Sequence, residues 1–252
     1  MFTPEDIISI HTTKEFHKTA MKIFRYQFEH NEVYQKYCLL LQKDPSNVKH
    51  LTEIPFIPIE FFKTKEILSS LDPIQETFTS SGTTGSARSK HHITDLSFYE
   101  YSFRNGFSKF YGNIEDYAVL ALLPSYLERE GSSLIYIVND LIEGSNHPES
   151  GFYLNDYQAL AKKLIELDSD GQNVILIGVT YALLDLIELQ KFNLKNTIVM
   201  ETGGMKGKRK EIIREELHQI LSDGFGVAKI HSEYGMTELL SQAYSLGDGI
   251  FE

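Results

Sequence analysis

The 252 residues predict an α/β fold, a mainly parallel sheet with flanking helices. Three observations carry this expectation. Tyr117 to Leu123 and Val174 to Gly178 are continuous apolar runs, as strands buried on both faces require. Amphipathic stretches long enough for helices follow, at 132–142, 156–167, 181–190 and 206–222. Strand and helix therefore alternate, and right-handed crossovers of that kind leave neighbouring strands parallel. At 42% hydrophobic, the chain can bury a full core as one large or two modest domains.

The amino-terminal part reads as helix from Thr12 to about Gln42. Phe16, Ala20, Ile23, Phe24 and Phe28 recur there at helical spacing, with charged residues between them. Thr12 or Thr13 can cap it. A break near Asn31 leaves Tyr34, Tyr37 and Leu41 for a second helix. Cys38 falls on that pattern and reads as a small buried hydrophobe, because nothing in the sequence places a histidine or a helix N-terminus beside it. As the only cysteine, it excludes a disulfide framework and a cysteine-ligated zinc. Ile54 to Ile59 is punctuated by Pro55 and Pro58 and reads as extended, and Phe61 and Phe62 read as packing residues.

His91 to Ile93 resembles a short strand, and Asp95 starts a helix running through Phe98, Tyr101 and Phe107. His91, His92 and Asp95 do not read as a metal site: adjacent strand residues point to opposite faces, and the spacing is not that of zinc. Strands are then expected at 117–123, 174–178, 196–200 and 227–231, the last closing the series. The helix over 206–222 would present Ile212, Ile213, Leu217, Ile220 and Leu221 on one face. Leu122, Leu123, Pro124, Ser125 and Tyr126 end the first buried strand and are placed to line a pocket, although core packing explains the apolar ones equally well.

Charge and hydropathy narrow the function. With 24 basic residues against 35 acids and a net charge of −11, a general nucleic-acid binder is not expected. No stretch is long and apolar enough for a membrane span, and no secretory leader is visible, so a cytoplasmic protein without membrane insertion is predicted.

The densest chemistry lies in Thr79 to Lys90, TSSGTTGSARSK. Hydroxyls cluster around Gly82 and Gly85, and Arg88 and Lys90 follow. Glycines let successive N–H groups converge on one anion, so the composition is that of a phosphate cradle. It is not a Walker loop, whose lysine is missing, and a kinase built on that loop is not supported. The alternative is a flexible surface linker, but the stretch sits between two segments with apolar content, and a pure linker would not end in Arg88 and Lys90. Parallel sheets bind ligands at the carboxyl ends of their strands, and two such ends are unusual. One is Glu201-Thr202-Gly203-Gly204-Met205-Lys206, where paired glycines permit close approach of a flat ligand or simply turn the chain. The other is Ser232 to Glu238, SEYGMTE, which offers a ring, a hydroxyl and a carboxylate, or alternatively a capped helix start. Ser132 lacks the Gly-x-Ser-x-Gly context of a hydrolase nucleophile.

SSGTTGSAR with a downstream YGMTE resembles the adenylate-forming superfamily of acyl-CoA synthetases, luciferases and peptide-synthetase adenylation domains. VYQKYCLLLQ, EIPFIPIEFFKTKEI, FTSSGTTG, ILIGVTYALL and METGGMK, in that order, are similar to acyl-protein synthetases of the LuxE type. The likeness runs from about Phe16 to Gln242.

It implies the fold of the large N-terminal domain of those enzymes, with a helical segment over 1–90 leading into the phosphate loop. An α/β nucleotide-binding portion would cover 91–252, the two forming one structural domain. It also implies ATP and Mg²⁺ as cofactors and a carboxylic, fatty acid as substrate. The acceptor would be a thiol: a protein cysteine, a carrier arm or coenzyme A. Ser80, Ser81, Gly82, Thr83, Thr84, Gly85 and Arg88 would hold the β- and γ-phosphates. Tyr234, flanked by Gly235, would stack on adenine beside a wall of Gly203 and Gly204. Thr237 would touch the α-phosphate, Glu238 would bind Mg²⁺, and Thr83, Thr237 and Glu238 would carry the catalysis. The alternative is a non-catalytic nucleotide- or acyl-binding module of the same fold.

Ala87 stands where the superfamily most often has proline, and Arg88 where lysine is commonest. Gly247-Asp248-Gly249 is no convincing ribose site. The family's ribose-binding aspartate, C-terminal lid with its lysine, and acyl-accepting cysteine would all lie past Glu252. The chain is therefore expected to be part of a longer enzyme. Lys206 is a candidate active-site cation by position.

Overall fold

Thr12 starts the first long helix with a reciprocal pair of bonds: its hydroxyl accepts Glu15 N–H at 3.2 Å, and Glu15 Oε2 accepts Thr12 N–H at 3.0 Å. This computed structural model describes residues 2–81, 87–124, 131–205, 207–210 and 212–252. A short α1 (Pro4–Ile8) precedes α2 (Thr13–His30) and α3 (Glu32–Leu40). Asn31 makes the break between them. Its backbone leaves the helical region, and its side chain accepts Tyr34 N–H at 2.9 Å, so one residue ends α2 and caps α3. Replacing Thr12 with alanine should lower stability by about 1 kcal/mol, read as a lower urea midpoint at unchanged m.

Two compact units make up the chain, one up to Ser102 and one from Phe103 on. The first has a core of Met21, Phe24, Tyr34, Cys38 and Val48, with Phe28, Tyr37, Ile54 and Ile57 packed on it. Cys38 is fully buried, and burial holds its thiol above the ordinary range. Phe16 and Leu41, expected on the apolar stripe, are 53% and 49% exposed. Folding back from Asn31, α3 reaches only about 14 Å along α2, so it covers Phe24 and not the turn that carries Phe16.

After α4 (Phe61–Thr64), β1 (Glu76–Thr79) and β2 (Lys90–Ile93) pair antiparallel in a register that joins Thr79 to Lys90. β1 was not expected as a strand. The pairing sets the two ends of the glycine–hydroxyl loop side by side. His92 Nδ1 lies 2.9 Å from Thr77 Oγ1, and the His91 ring sits edge-on to Phe62. Among the described residues no group of three His, Cys, Asp or Glu side chains comes together to hold a metal. α5 (Leu96–Tyr111) follows.

The second unit continues through β3 (Ala118–Leu122), α6 (Ser133–Ser145), β4 (Gly151–Phe152), α7 (Tyr157–Ser169) and β5 (Val174–Gly178). It then runs through α8 (Thr180–Leu189), β6 (Thr197–Glu201), α9 (Arg214–Phe225), β7 (His231–Gly235) and β8 (Gln242–Ser245). The sheet order is β4-β3-β5-β6-β7-β8, parallel throughout except that β8 runs against β7. The predicted α/β class with a mainly parallel sheet is what the chain adopts. Every residue of β3 and β5 is buried, as their unbroken apolar runs demanded. Ser132 and Asp156 cap α6 and α7 through their side chains. Among the described residues no helix is long and apolar enough to cross a membrane.

Two boundaries differ from expectation. α9 starts at Arg214, not near 206, because the left-handed Gly203, Gly204 and Gly207 carry the chain out of β6 in turns. Its buried face is Leu217, Leu221, Gly224 and Phe225, while Ile213 precedes the helix and is 67% exposed. The last parallel strand begins at His231, where the expected one ended, and a further strand, β8, supplies its outer partner.

Candidate functional site

Strand register brings the carboxyl ends of β5 and β6 level with the start of β7: Gly178 pairs with Glu201, and Glu201 with Ser232, so the three form a row. Thr180, Gly203 and Tyr234 follow this row at equal steps along their segments. Sheets of this kind offer ligands a crevice at such an edge.

Glu201 organises the row. Its carboxylate is 3% exposed, and Oε2 accepts Gly203 N–H at 2.6 Å and Thr180 Oγ1–H at 3.3 Å. His218 Nε2 of α9 stands 3.6 Å from Oε1. Burial alone would raise this carboxyl. The bonds from His218, Ser232 and Gly203, with the charge of Arg214, outweigh it and hold the group below the usual carboxylate range. Gly203 itself sits at φ 74°, with nothing within 4 Å of where a Cβ would be. A bare stretch of backbone thus faces open space, and Gly204 continues it at φ 89°.

The second stretch differs from the turn that was expected. Ser232 to Gly235 belong to β7, so Ser232 does not cap a helix. Its hydroxyl is fully buried and faces His218 Nε2 at 3.4 Å. Tyr234, on the same face of the strand, is 52% exposed, its ring edge-on to Phe251 at 6.0 Å between centroids. Gly235 is paired to Gln242. Met236, Thr237 and Glu238 form the connection to β8, closed by Leu239 N–H on the Met236 carbonyl at 3.0 Å, and Glu238 is half-buried. The structure therefore gathers Gly203, Gly204, Tyr234 and Gly235 at two adjacent strand ends, with Thr237 and Glu238 just beyond.

Around the other loop, Ser80 N–H donates to the Ser89 carbonyl at 3.1 Å, and Ser80 Oγ accepts Ser89 N–H at 3.0 Å, which closes the loop at its base. Ser81 and Arg88 are exposed. Gly82, Thr83, Thr84 and Gly85 lie outside the described residues, as do Ser125, Tyr126 and Lys206. Leu122, Leu123 and Pro124 are buried, and the Pro124 carbonyl accepts the Tyr181 hydroxyl at 3.2 Å.

Glu233 points to the opposite face of β7, into a small apolar cavity with Val138, Ile177, Met200 and Tyr244. Burial, then the neighbouring Glu201 charge, push its carboxyl up to about 7. Tyr111 and His231 are the other titratable groups nearby, and burial followed by the charge of Lys229 lowers His231 to about 4, leaving it neutral. The folded chain thus binds the Glu233 proton more tightly than the unfolded one, so this stability is present at low pH and lost between about 4.5 and about 7. Glu233→Gln should flatten that slope. Above pH 7 it should be more stable than the parent by on the order of 3 kcal/mol, measured by urea unfolding at pH 5 and pH 8.

Sequence reasoning missed Thr180, His218, Arg214 and Phe251 as neighbours of the site. The one available signal was Glu201 itself, an acid closing the otherwise apolar TIVM strand.

A glycine turn and an exposed tyrosine thus stand close together at the edge where an open α/β sheet offers ligands a crevice. Residues 7–97 match the family described as acyl-protein synthetase, LuxE. The match includes TSSGTTGSARSK and stops well before YGMTE. The long-chain-fatty-acid–luciferin-component ligase of Photorhabdus luminescens is 35% identical over 69 residues, covering 27% of this chain and 59% of that protein. The chain thus spans little more than half of that curated relative. A crystal structure of a mutant form of coronafacic acid ligase from Pectobacterium brasiliense is 20% identical. It covers 52% of this chain and 24% of its own at a TM-score of 0.34, too remote to bear on fold or chemistry.

Proposed function

We propose that this protein is an acid–thiol ligase of the LuxE type. It activates a carboxylic acid, of the fatty class, as an acyl-adenylate at the expense of ATP, and passes the acyl group to a thiol of a protein, carrier arm or coenzyme A. The observation that carries this reading is the pairing of the bare Gly203–Gly204 backbone with the exposed Tyr234 ring on neighbouring strands, a slot suited to a flat base. The family match over residues 7–97 supports the acid and the acceptor.

A carboxylate oxygen of the substrate attacks the α-phosphorus, one P–O bond forms, and the bond to pyrophosphate breaks. This builds no covalent bond to the protein, so its residues act by orienting and stabilising. Tyr234 and Gly235 hold the base against Gly203 and Gly204. Thr237 donates to the α-phosphate, where negative charge grows. Ser80, Ser81, Gly82, Thr83, Thr84, Gly85 and Arg88 hold the departing β- and γ-phosphates.

Glu238 would hold Mg²⁺. A half-buried carboxylate suits this ion, which keeps waters and takes substrate phosphates as its other ligands. When bound, the ion supplies charge neutralisation on the phosphoryl oxygens.

Exchange of labelled pyrophosphate into ATP, driven by a panel of carboxylic acids, tests the reading. Exchange stimulated by long-chain acids supports it. ATP binding without exchange under any acid identifies a non-catalytic nucleotide-binding module instead.

A further inference from the structure

Arg214 opens α9, and the same helix carries His218 one turn later, so both side chains share a face. The Arg214 guanidinium lies over the Phe251 ring, with Cζ 4.7 Å from its centroid, and Phe251 is the ring that abuts Tyr234. Phe251 is itself fixed, because Tyr244 and Glu252 exchange backbone hydrogen bonds of 3.0 and 3.1 Å beside it.

We propose that Arg214 is a positioning residue that braces one wall of the nucleotide slot, setting the Tyr234 ring through Phe251. The inference rests on the nucleotide reading above and adds to it a residue that touches no part of the nucleotide. Arg214 is exposed and Phe251 half-buried, so substitutions at either should leave the fold intact. The planar guanidinium matters as well as its charge, since a flat cation stacks on a ring as a compact ammonium does not.

The test is calorimetric titration of the protein with ATP and Mg²⁺. Arg214→Met and Phe251→Leu should each weaken binding roughly tenfold, the scale of one lost charged or ring contact. Arg214→Lys should recover only part of the loss, and Phe251→Tyr most of it. The double variant should be little worse than either single one, since both break the same brace. Melting temperatures should stay with that of the parent.

Binding within twofold of the parent in both Arg214→Met and Phe251→Leu overturns the brace while leaving the nucleotide reading intact. A parent protein that takes up no ATP overturns the nucleotide reading instead. The NMR signals of the Tyr234 ring then decide the brace on their own: Arg214→Met moves them towards those of a free tyrosine if the brace exists, and unchanged signals end the inference.

Discussion

Replacing Glu238 with glutamine is expected to cut acid-dependent pyrophosphate exchange by a hundredfold or more, with no change in melting temperature. The amide keeps the shape of the carboxylate and loses the charge that would hold Mg²⁺ beside the triphosphate. Removing one preorganised electrostatic group of this kind from a transition state of growing charge typically lowers the rate by about 10² to 10³. Glu238 is half-buried on the connection between β7 and β8, and no core packing depends on it, so stability should stay within about 0.5 kcal/mol. Exchange at the parent rate would remove Glu238 from the chemistry.

The largest effect on stability should come from Gly226→Ala. Gly226 ends α9 in the left-handed conformation at φ 69°, and its N–H and that of Val227 both return to the Ser222 carbonyl, at 2.8 and 3.2 Å. An added Cβ would lie 2.7 Å from the Asn193 Cα and from the Phe192 carbonyl oxygen. Those are backbone atoms, held in place by bonds from Phe192 N–H to Gly224 and from Leu194 N–H to Phe225, at 2.9 and 3.1 Å. A left-handed alanine costs about 1–2 kcal/mol and forced overpacking about 1–3, so a loss near 3 kcal/mol is expected in the urea midpoint at unchanged m. A loss below about 1 kcal/mol would mean that the 192–194 segment yields readily.

The parts of the fold that could be read in advance are those whose signal is local. β3 and β5 are covered on both faces, so every position must be apolar and the run announces itself. Caps are equally local: Thr12, Ser132 and Asp156 each bond a backbone N–H three residues on. The misreadings share a different cause. β8 has the unremarkable sequence QAYS, and only its pairing with β7 makes a strand of it. The same pairing draws Ser232 to Gly235 into β7, where the isolated stretch suggests a turn. Ile212 and Ile213 continue the apolar period of α9, but the left-handed Gly203, Gly204 and Gly207 before them take precedence over periodicity.

For the candidate site, the residue types were visible in TSSGTTGSARSK, ETGG and SEYGMTE before any coordinates, because glycines, hydroxyls and acids so crowded announce ligand contact over short spans. Their supports were not. Glu201, Arg214, Ser232 and Phe251 are far apart along the chain and share no motif. They meet because parallel pairing sets Ser232 beside Glu201, while Arg214 at the start of α9 lies over Phe251. Side-chain chemistry is written residue by residue, and so the alternation of elements and the groups available for reaction follow from the order of amino acids. Which of those groups become neighbours depends on strand pairing and helix packing between distant segments, energies that no single stretch of the chain contains.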